Sequence, residues 1–291
     1  VITASCTPRM HLTTFQSVLE QAGLNPYMLE FVNIREQCSW VHGPHASEEA
    51  TKKAISLIRG GYERSFHLEP LEKISEKCSR DILIIGGGIA GITAALELGD
   101  LGYKVNLVES KPSIGGNMAK LTKVFPTLDC AQCILTPRMA EVGRNKNVNI
   151  LTYAEVHEVN GRAGNYNAKV FMKPRGIEVE KCRSCGVCAK VCPVVVPDEF
   201  NEGMVKRKAA YIMFPQAVPS AYAIDFNACT KCGKCEKVCP SKAVNLEDKG
   251  RIEELNVGAI IMATGYELFD ANQLKIYGYG VYPDVITMMH L

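Results

Sequence analysis

The sequence predicts an α/β protein in which a parallel-sheet nucleotide-binding domain is interrupted by a cysteine-rich insert and preceded by a small α/β piece. Three observations predict it. An apolar strand, Ile82 to Ile85, runs into Gly86-Gly87-Gly88-Ile89-Ala90-Gly91 and then into a helical stretch, Ile89 to Leu101. Eight of the 13 cysteines fall in two runs, Cys182, Cys185, Cys188, Cys192 and Cys229, Cys232, Cys235, Cys239, each closed by a proline. A further apolar stretch, Val257 to Ala263, resumes beyond the cysteines and ends in Thr264-Gly265. The cysteine block therefore stands inside the nucleotide domain rather than after it.

Taken in order, residues 1–77 form the N-terminal α/β piece. Met10 to Gly23 has helical spacing, Tyr27 to Val32 reads as a strand, and Ser47 to Arg59 carries Ala50, Ala54, Ile55 and Ile58 on one helical face. Residues 78–175 are the first part of the nucleotide domain. There the strand and helix around Gly86 are followed by a second strand, Val105 to Glu109, which makes a βαβ beginning, and residues 148–175 read as short strands turning at Gly161 and Gly164. Residues 176–248 are the insert, and residues 249–291 return to the nucleotide domain with Val257 to Ala263 as a buried strand.

Composition narrows the function. Lys plus Arg total 33 against 31 Asp plus Glu, and no long basic run is present, which argues against nucleic acid or an anionic membrane as partner. No apolar run has the length of a membrane helix. The opening residues lack the charged and apolar regions of a signal peptide. A disulfide framework does not need two identical arrays, and an odd total of 13 cysteines leaves at least one thiol unpaired, so a reducing, cytoplasmic compartment is expected.

Each cysteine run reads C-x2-C-x2-C-x3-C-P, the pattern of two-cluster ferredoxins, in which the fourth cysteine of one run ligates the other run's cluster. Cys182, Cys185 and Cys188 with Cys239 are expected to hold one [4Fe-4S] cluster, and Cys229, Cys232 and Cys235 with Cys192 the other. Gly186 and Gly233 let the loops turn, and Pro193 and Pro240 end them. C-x2-C pairs also bind zinc, but zinc modules do not require the x3-C-P ending twice.

The glycine motif follows a strand and opens a helix, the context in which G-x-G-x-x-G carries weight. Gly86 permits the turn, Gly87 and Gly88 bring the backbone close to a pyrophosphate, Gly91 lets helix pack on strand, and Glu109 accepts ribose hydroxyls. The continuation Ser110-Lys111-Pro112-Ser113-Ile114-Gly115-Gly116-Asn117 resembles the E-x(4-5)-GG segment of flavoproteins with two dinucleotide-binding domains, and Ala263-Thr264-Gly265 resembles their downstream flavin contact. The likeness implies FAD, with Gly115 and Gly116 near its phosphates and Thr264 and Gly265 near its ribityl or phosphate region. Ala90, Ser110, Lys111, Asn117, Val156 and Ala263 are counted as further cofactor contacts. The fold class is then a Rossmann-like FAD-binding domain of the two-dinucleotide-binding-domain flavoprotein type, with an inserted two-[4Fe-4S] ferredoxin domain and a small N-terminal α/β piece.

Longer runs carry a family likeness. Ala4-Ser5-Cys6-Thr7-Pro8-Arg9, the stretch Asn33 to His42, the stretch Phe125 to Leu135 and Pro215-Gln216-Ala217-Val218-Pro219 resemble the A subunit of heterodisulfide reductase from methanogenic archaea over essentially the whole chain. The resemblance implies an iron–sulfur flavoprotein subunit in a cytosolic complex. In that family the flavin divides electron pairs from hydrogenase or formate dehydrogenase subunits between ferredoxin and the route to the CoM-S-S-CoB heterodisulfide, which is reduced on another subunit. Family members have further N-terminal cysteines and a C-terminal half, so the sequence reads as a fragment or part of a longer subunit, or as a split subunit whose FAD domain another chain is expected to complete. The likeness also implies a third cluster, with Cys6 and Cys38 as candidate ligands. Cys130 and Cys133 are either its remaining ligands or a separate metal or redox pair. Two other readings stand beside this one: a thioredoxin-reductase-like enzyme using Cys130 and Cys133, and a non-catalytic electron-relay scaffold. Of the residues left over, His11, His42 and His45 are expected to be structural, Trp40 to be packed core, Cys78 to be a buried small side chain, and Lys206-Arg207-Lys208 to be a solvated face.

Overall fold

A computed structural model describes residues 1–43 and 47–291 of the chain; His45 lies outside the described residues. The chain divides into two compact units, Val1–Ser75 and Glu76–Leu291.

In the first unit β1 (Ile2–Ser5) pairs in parallel with β2 (Glu30–Asn33) through a crossover that contains α1 (Pro8–Gln21). The helix starts where the Thr7 hydroxyl accepts the Arg9 N–H and Pro8 fills the first turn, where its missing N–H costs nothing. The strand expected from Tyr27 begins only at Glu30, because Pro26–Met28 makes a 3-10 turn capped by Asn25. A second helix, α2 (Glu48–Ser65), is capped by Ser47, whose hydroxyl accepts the Ala50 N–H at 3.0 Å, and places Glu48 and Glu49 in its first turn, where the helix dipole favours them. Trp40 is not core: it is 60% exposed, with the Arg35 guanidinium 4.3 Å above its ring. Here the indole packs against a cation instead of the interior.

The second unit is built on β3 (Ile82–Ile85), α3 (Ile89–Asp100), β4 (Val105–Glu109), α4 (Ala131–Arg144), β5 (Val148–Thr152), β6 (Ala154–Arg162), β7 (Asn165–Met172), β8 (Arg251–Val257) and β9 (Ala259–Met262). A four-stranded parallel sheet has the order β9-β3-β4-β5, and a three-stranded antiparallel sheet has the order β8-β7-β6. The strand period of two sorts the core onto the two faces of the parallel sheet. Ile82, Ile84, Val105 and Leu107 pack with Ile92, Leu96, Leu135, Met139 and Val142 of the helices. Leu83, Val108 and Leu151 turn the other way and pack with Ala168, Val170 and Val257 of the antiparallel sheet. The stretch Val257 to Ala263 is thus not one buried strand. It breaks at Gly258, with Val257 ending β8 and Ala259–Met262 forming a half-exposed edge of the parallel sheet.

Between β7 and β8 the chain makes the cysteine-rich insert, whose two short helices are α5 (Val187–Val191) and α6 (Lys234–Val238). Its ends are tied to each other. Asn245 N–H donates to the Gly176 carbonyl at 2.9 Å, Ile177 bridges Val244, and one Asp248 carboxylate oxygen accepts the N–H groups of Arg175 and Gly176 at 2.8 and 3.0 Å. Lys206–Lys208 is a strand paired with Val195–Pro197, in which Lys206 is exposed as expected and Arg207 and Lys208 are half-buried. The Arg207 side chain is 10% exposed, pairs with Asp225 at 3.0 Å and lies 3.9 Å over the Tyr211 ring.

Candidate functional site

The glycine turn sits where β3 passes into α3. Gly86 has φ +110°, and a Cβ there would stand 2.3 Å from the Ala263 carbonyl oxygen. A Cβ on Gly91 would stand 1.9 Å from the Gly86 oxygen. Backbone therefore bars side chains at both positions. Gly88, the N-cap of α3, differs: nothing lies within 4 Å of where its Cβ would be. The N-terminus of such a helix presents unpaired N–H groups that can hold an anion. Gly115 N–H donates to the Gly87 carbonyl at 2.7 Å, a Cβ on Gly116 would approach Gly88 Cα to 2.9 Å, and Ala263 N–H donates to the Ile85 carbonyl at 2.8 Å. The Asn117 amide donates to the Tyr266 carbonyl at 3.1 Å. The three sequence elements named for the flavin are therefore neighbours, with Ala90, Thr264 and Gly265 exposed beside them. This bare, donor-rich turn fits a dinucleotide pyrophosphate.

Glu109 is buried, and its carboxylate accepts the N–H groups of Gly87 and Lys111, each at 2.8 Å, and the Ser110 hydroxyl at 3.2 Å. A carboxylate has about four lone-pair sites, so three donors leave capacity for a ribose hydroxyl. The Ser110 carbonyl accepts from Lys173, and the Lys111 carbonyl from the Tyr153 N–H. Val156 is half-buried in β6 against the core that contains Leu83 and Val108.

The eight cysteines of the two runs surround two cavities. One is lined by Cys182, Cys185, Cys188 and Cys239, and the other by Cys192, Cys229, Cys232 and Cys235. All eight are free thiols. Gly186 and Gly233, at φ +77° and +74°, cap α5 and α6, and the helices carry Cys188 and Cys235 to the buried side of each cavity. Ser184 and Lys231 also take left-handed φ, at 52° and 51°, at equivalent places in the two loops, which the cysteine spacing did not show. Burial pushes the Cys188 thiol up to about 12 and raises Cys235 as well. At Cys239 burial also acts upward, but the backbone N–H groups of Ala243, Ser241 and Val244 and the Ser241 hydroxyl outweigh it, and the thiol lies below its ordinary value. Among the described residues no three His, Cys, Asp or Glu side chains gather as they would around a single ion. The thiols ring apolar cavities, a donor set that fits a cube ligated at its corners.

Between the glycine turn and the cavities lie residues that sequence reasoning missed. Ser113, 2% exposed, accepts the Val218 N–H at 2.9 Å, and its hydroxyl has the Ile114 and Val218 carbonyls as acceptors at 2.9 and 3.2 Å, while Ile114 N–H donates to the Val218 carbonyl. Phe214 of the insert is buried in the core beside Ile114 and Met139 and stacks on Phe200, centroids 5.0 Å apart. Arg175 is buried at the junction, and its guanidinium donates to Thr152, Ala221 and Tyr222. A cleft of about 990 Å³ lies between β5 and the insert; Thr152 and Arg175 are among its lining residues, and the glycine turn is not.

Of the remaining cysteines, Cys130 and Cys133 are joined as a disulfide at the exposed start of α4. Cys38 is buried and donates to the Ala50 carbonyl at 3.1 Å, and Cys6 is half-buried after β1. Cys78 is exposed, not buried as expected, because it precedes β3 on an extended segment outside both cores.

Residues 81–171 match the family model of FAD dependent oxidoreductases, and residues 178–243 match that of the 4Fe-4S dicluster domain. The whole chain is 52% identical to the CoB–CoM heterodisulfide reductase iron-sulfur A-subunit 1 of Methanopyrus kandleri, covering 44% of it. It is 47% identical to the A subunit of the H2:CoB-CoM heterodisulfide,ferredoxin reductase of Methanothermobacter marburgensis and 48% identical to that of the H2/formate:CoB-CoM heterodisulfide,ferredoxin reductase of Methanococcus maripaludis, again covering 44% of each. The chain thus spans less than half the length of these curated relatives. Among solved structures it resembles L-proline dehydrogenase of P. horikoshii, at 26% identity and a TM-score of 0.30 over 37% of this chain and 22% of that one. The two domain matches and the likeness along every residue agree with the motifs: this chain is an iron–sulfur flavoprotein, with FAD and paired 4Fe-4S clusters as its cofactors, similar throughout to one stretch of the heterodisulfide reductase A subunit.

Proposed function

We propose that this chain is the electron-transferring core of a cytoplasmic heterodisulfide reductase complex. On this reading Cys182, Cys185, Cys188 and Cys239 ligate one [4Fe-4S] cluster, Cys229, Cys232, Cys235 and Cys192 ligate the second, and FAD lies along Gly86–Gly91, Gly115–Asn117 and Ala263–Gly265. The observation that carries the reading is the sorting of the eight thiols into two cavities, each with one ligand from the other run, in the same compact unit as the glycine turn.

When bound, the flavin supplies the exchange between two-electron and one-electron transfer, and the clusters supply one-electron relays. The chain's own residues bind, orient and insulate. The α3 N-terminus and bare Gly88 hold the pyrophosphate, Glu109 fixes the turn and takes a ribose hydroxyl, and Asn117 ties the turn to the segment after Gly265. Ile177, Val244, Ala210 and Ile224 keep water from the cluster cavities. Ser113 and Phe214 fasten the insert to the flavin domain, so the spacing between cofactors is set by packed elements.

We assign to the complex the flavin-based electron bifurcation expected from the family: electrons from hydrogenase or formate dehydrogenase subunits go to ferredoxin and to CoM-S-S-CoB reduction on a partner subunit. The names of the Methanothermobacter and Methanococcus relatives support those donors and acceptors. The exposed apolar side chains of Tyr266, Leu268, Phe269, Ile276, Tyr277 and Tyr282 support completion of the FAD domain by further polypeptide. Cys6 and Cys38 are the candidate ligands of a third cluster. In the assembled complex, with hydrogen or formate as donor, ferredoxin reduction should stop when CoM-S-S-CoB is left out. Undiminished ferredoxin reduction without it would contradict bifurcation.

One observation favours a second reading. The Cys130–Cys133 disulfide is exposed at a helix N-terminus, where thiolates are stabilised, as in a thioredoxin-reductase-like redox pair. That reading requires NADPH consumption with a disulfide substrate that is lost in Cys133→Ser.

A further inference from the structure

We propose that Arg175 is a positioning residue for the cluster of Cys182, Cys185, Cys188 and Cys239: its guanidinium fixes one wall of that cavity, and its charge makes that cluster easier to reduce. The inference rests on the ligand reading above.

Arg175 is 7% exposed. Its Nε donates to the Tyr222 carbonyl at 3.1 Å, one terminal nitrogen to the Ala221 carbonyl at 3.0 Å, and the other to the Thr152 hydroxyl at 3.0 Å. All three acceptors are neutral. A buried guanidinium whose own acceptors are all neutral is costly to keep, the Asp248 carboxylate being bound to the Arg175 backbone N–H and not to the guanidinium. The position suits a use for that charge. Tyr222, whose carbonyl it grips, turns its side chain into the Cys182–Cys239 cavity, with the hydroxyl 2.9 Å from where a Cβ of Gly186 would stand. Ile177, two residues along the chain, lines the same cavity, and Cys182 N–H donates to the Glu178 carbonyl at 3.0 Å. Burial lowers the guanidinium to about 10, so it stays protonated at neutral pH.

One-electron reduction adds one negative charge to a cluster already surrounded by thiolates. In a low-dielectric interior a fixed cation favours that added charge and raises the reduction potential. Thr152 ends β5, so the same side chain also joins the parallel sheet to the cavity wall.

The test is a redox titration followed by electron paramagnetic resonance on the full protein loaded with flavin and clusters. Arg175→Gln should move the midpoint of the Cys182-set cluster to more negative potential, with the other cluster's midpoint and the iron content unchanged. Arg175→Lys, which keeps the charge and loses the planar fork, should recover most of the shift. Thr152→Val should lower thermal stability without moving either midpoint. Equal shifts in the Gln and Lys variants, or joint movement of both clusters, would overturn the charge role. Cys182→Ser separates the two failures. If it leaves both cluster signals intact, the ligand reading has failed. If it removes one signal while Arg175→Gln moves nothing, the inference about Arg175 has failed.

Discussion

Gly88 and Gly91 lie in one short turn yet answer to different constraints. A Cβ on Gly91 would meet the Gly86 carbonyl at 1.9 Å, whereas one on Gly88 would meet nothing within 4 Å. Gly91→Val should therefore damage the fold itself, with a loss of about 3 kcal/mol or more, at the upper end of overpacking costs. It should appear as a lower melting temperature with and without flavin. Gly88→Leu should leave the melting temperature of flavin-free protein within a degree or two of wild type and abolish the flavin absorbance of the purified protein. A Gly88→Leu protein that keeps its FAD would contradict the pyrophosphate site. These roles are legible in sequence because a strand–glycine–helix context permits few geometries. Arg175 and Ser113 are not legible: an arginine or serine between elements carries no periodicity, and its partners lie 46 and 105 residues away. Trp40 and Cys78 mislead for the converse reason, since a large apolar ring or a thiol favours the interior only where an interior is at hand.

The insert is tied to its host domain by hydrogen bonds of defined chemistry. Asp248 accepts the N–H groups of Arg175, Gly176 and Gly250 in bonds largely shielded from water. Asp248→Ala should leave those donors unsatisfied and cost about 1–3 kcal/mol, read as a lower midpoint in denaturant. Asp248→Asn, which keeps an acceptor oxygen, should recover part of it. Ser113→Ala should cost about 1–2 kcal/mol through the unpaired Val218 amide. The same loss in a Val218→Ala protein, which keeps the amide bond to Ser113, would assign the effect to packing instead. Among the elements, β3, α3 and β4 are legible to within a residue, because each combines an apolar pattern with a glycine stop. The helix α4 is hidden by the Cys130-x2-Cys133 motif at its start and by Pro137 within it. The stretch from Val257 reads as one buried strand, because seven apolar or small residues in a row do not reveal that the chain changes sheets at Gly258.

At the scale of the molecule, a flavin domain is split so that its last parallel strand, β9, comes from beyond the cluster insert and pairs with β3, its first. The doubled C-x2-C-x2-C-x3-C-P run and the order of glycine elements make this arrangement legible, since each is a spacing rule with its own chemistry. The seating of the insert is not, since it depends on Phe214, Val218 and Arg175 meeting residues of a distant segment. Crossed ligation of two clusters by this insert is best tested by deleting the crossing ligands. Iron and sulfide content and paramagnetic resonance spectra should be compared for Cys192→Ser and Cys239→Ser in the full flavin-loaded protein. The account predicts that Cys192→Ser alters the cluster of Cys229, Cys232 and Cys235, and that Cys239→Ser alters the cluster of Cys182, Cys185 and Cys188. Damage confined in each case to the cluster of the mutated cysteine's own run, or two bound zinc ions and no sulfide in the wild-type protein, would contradict it.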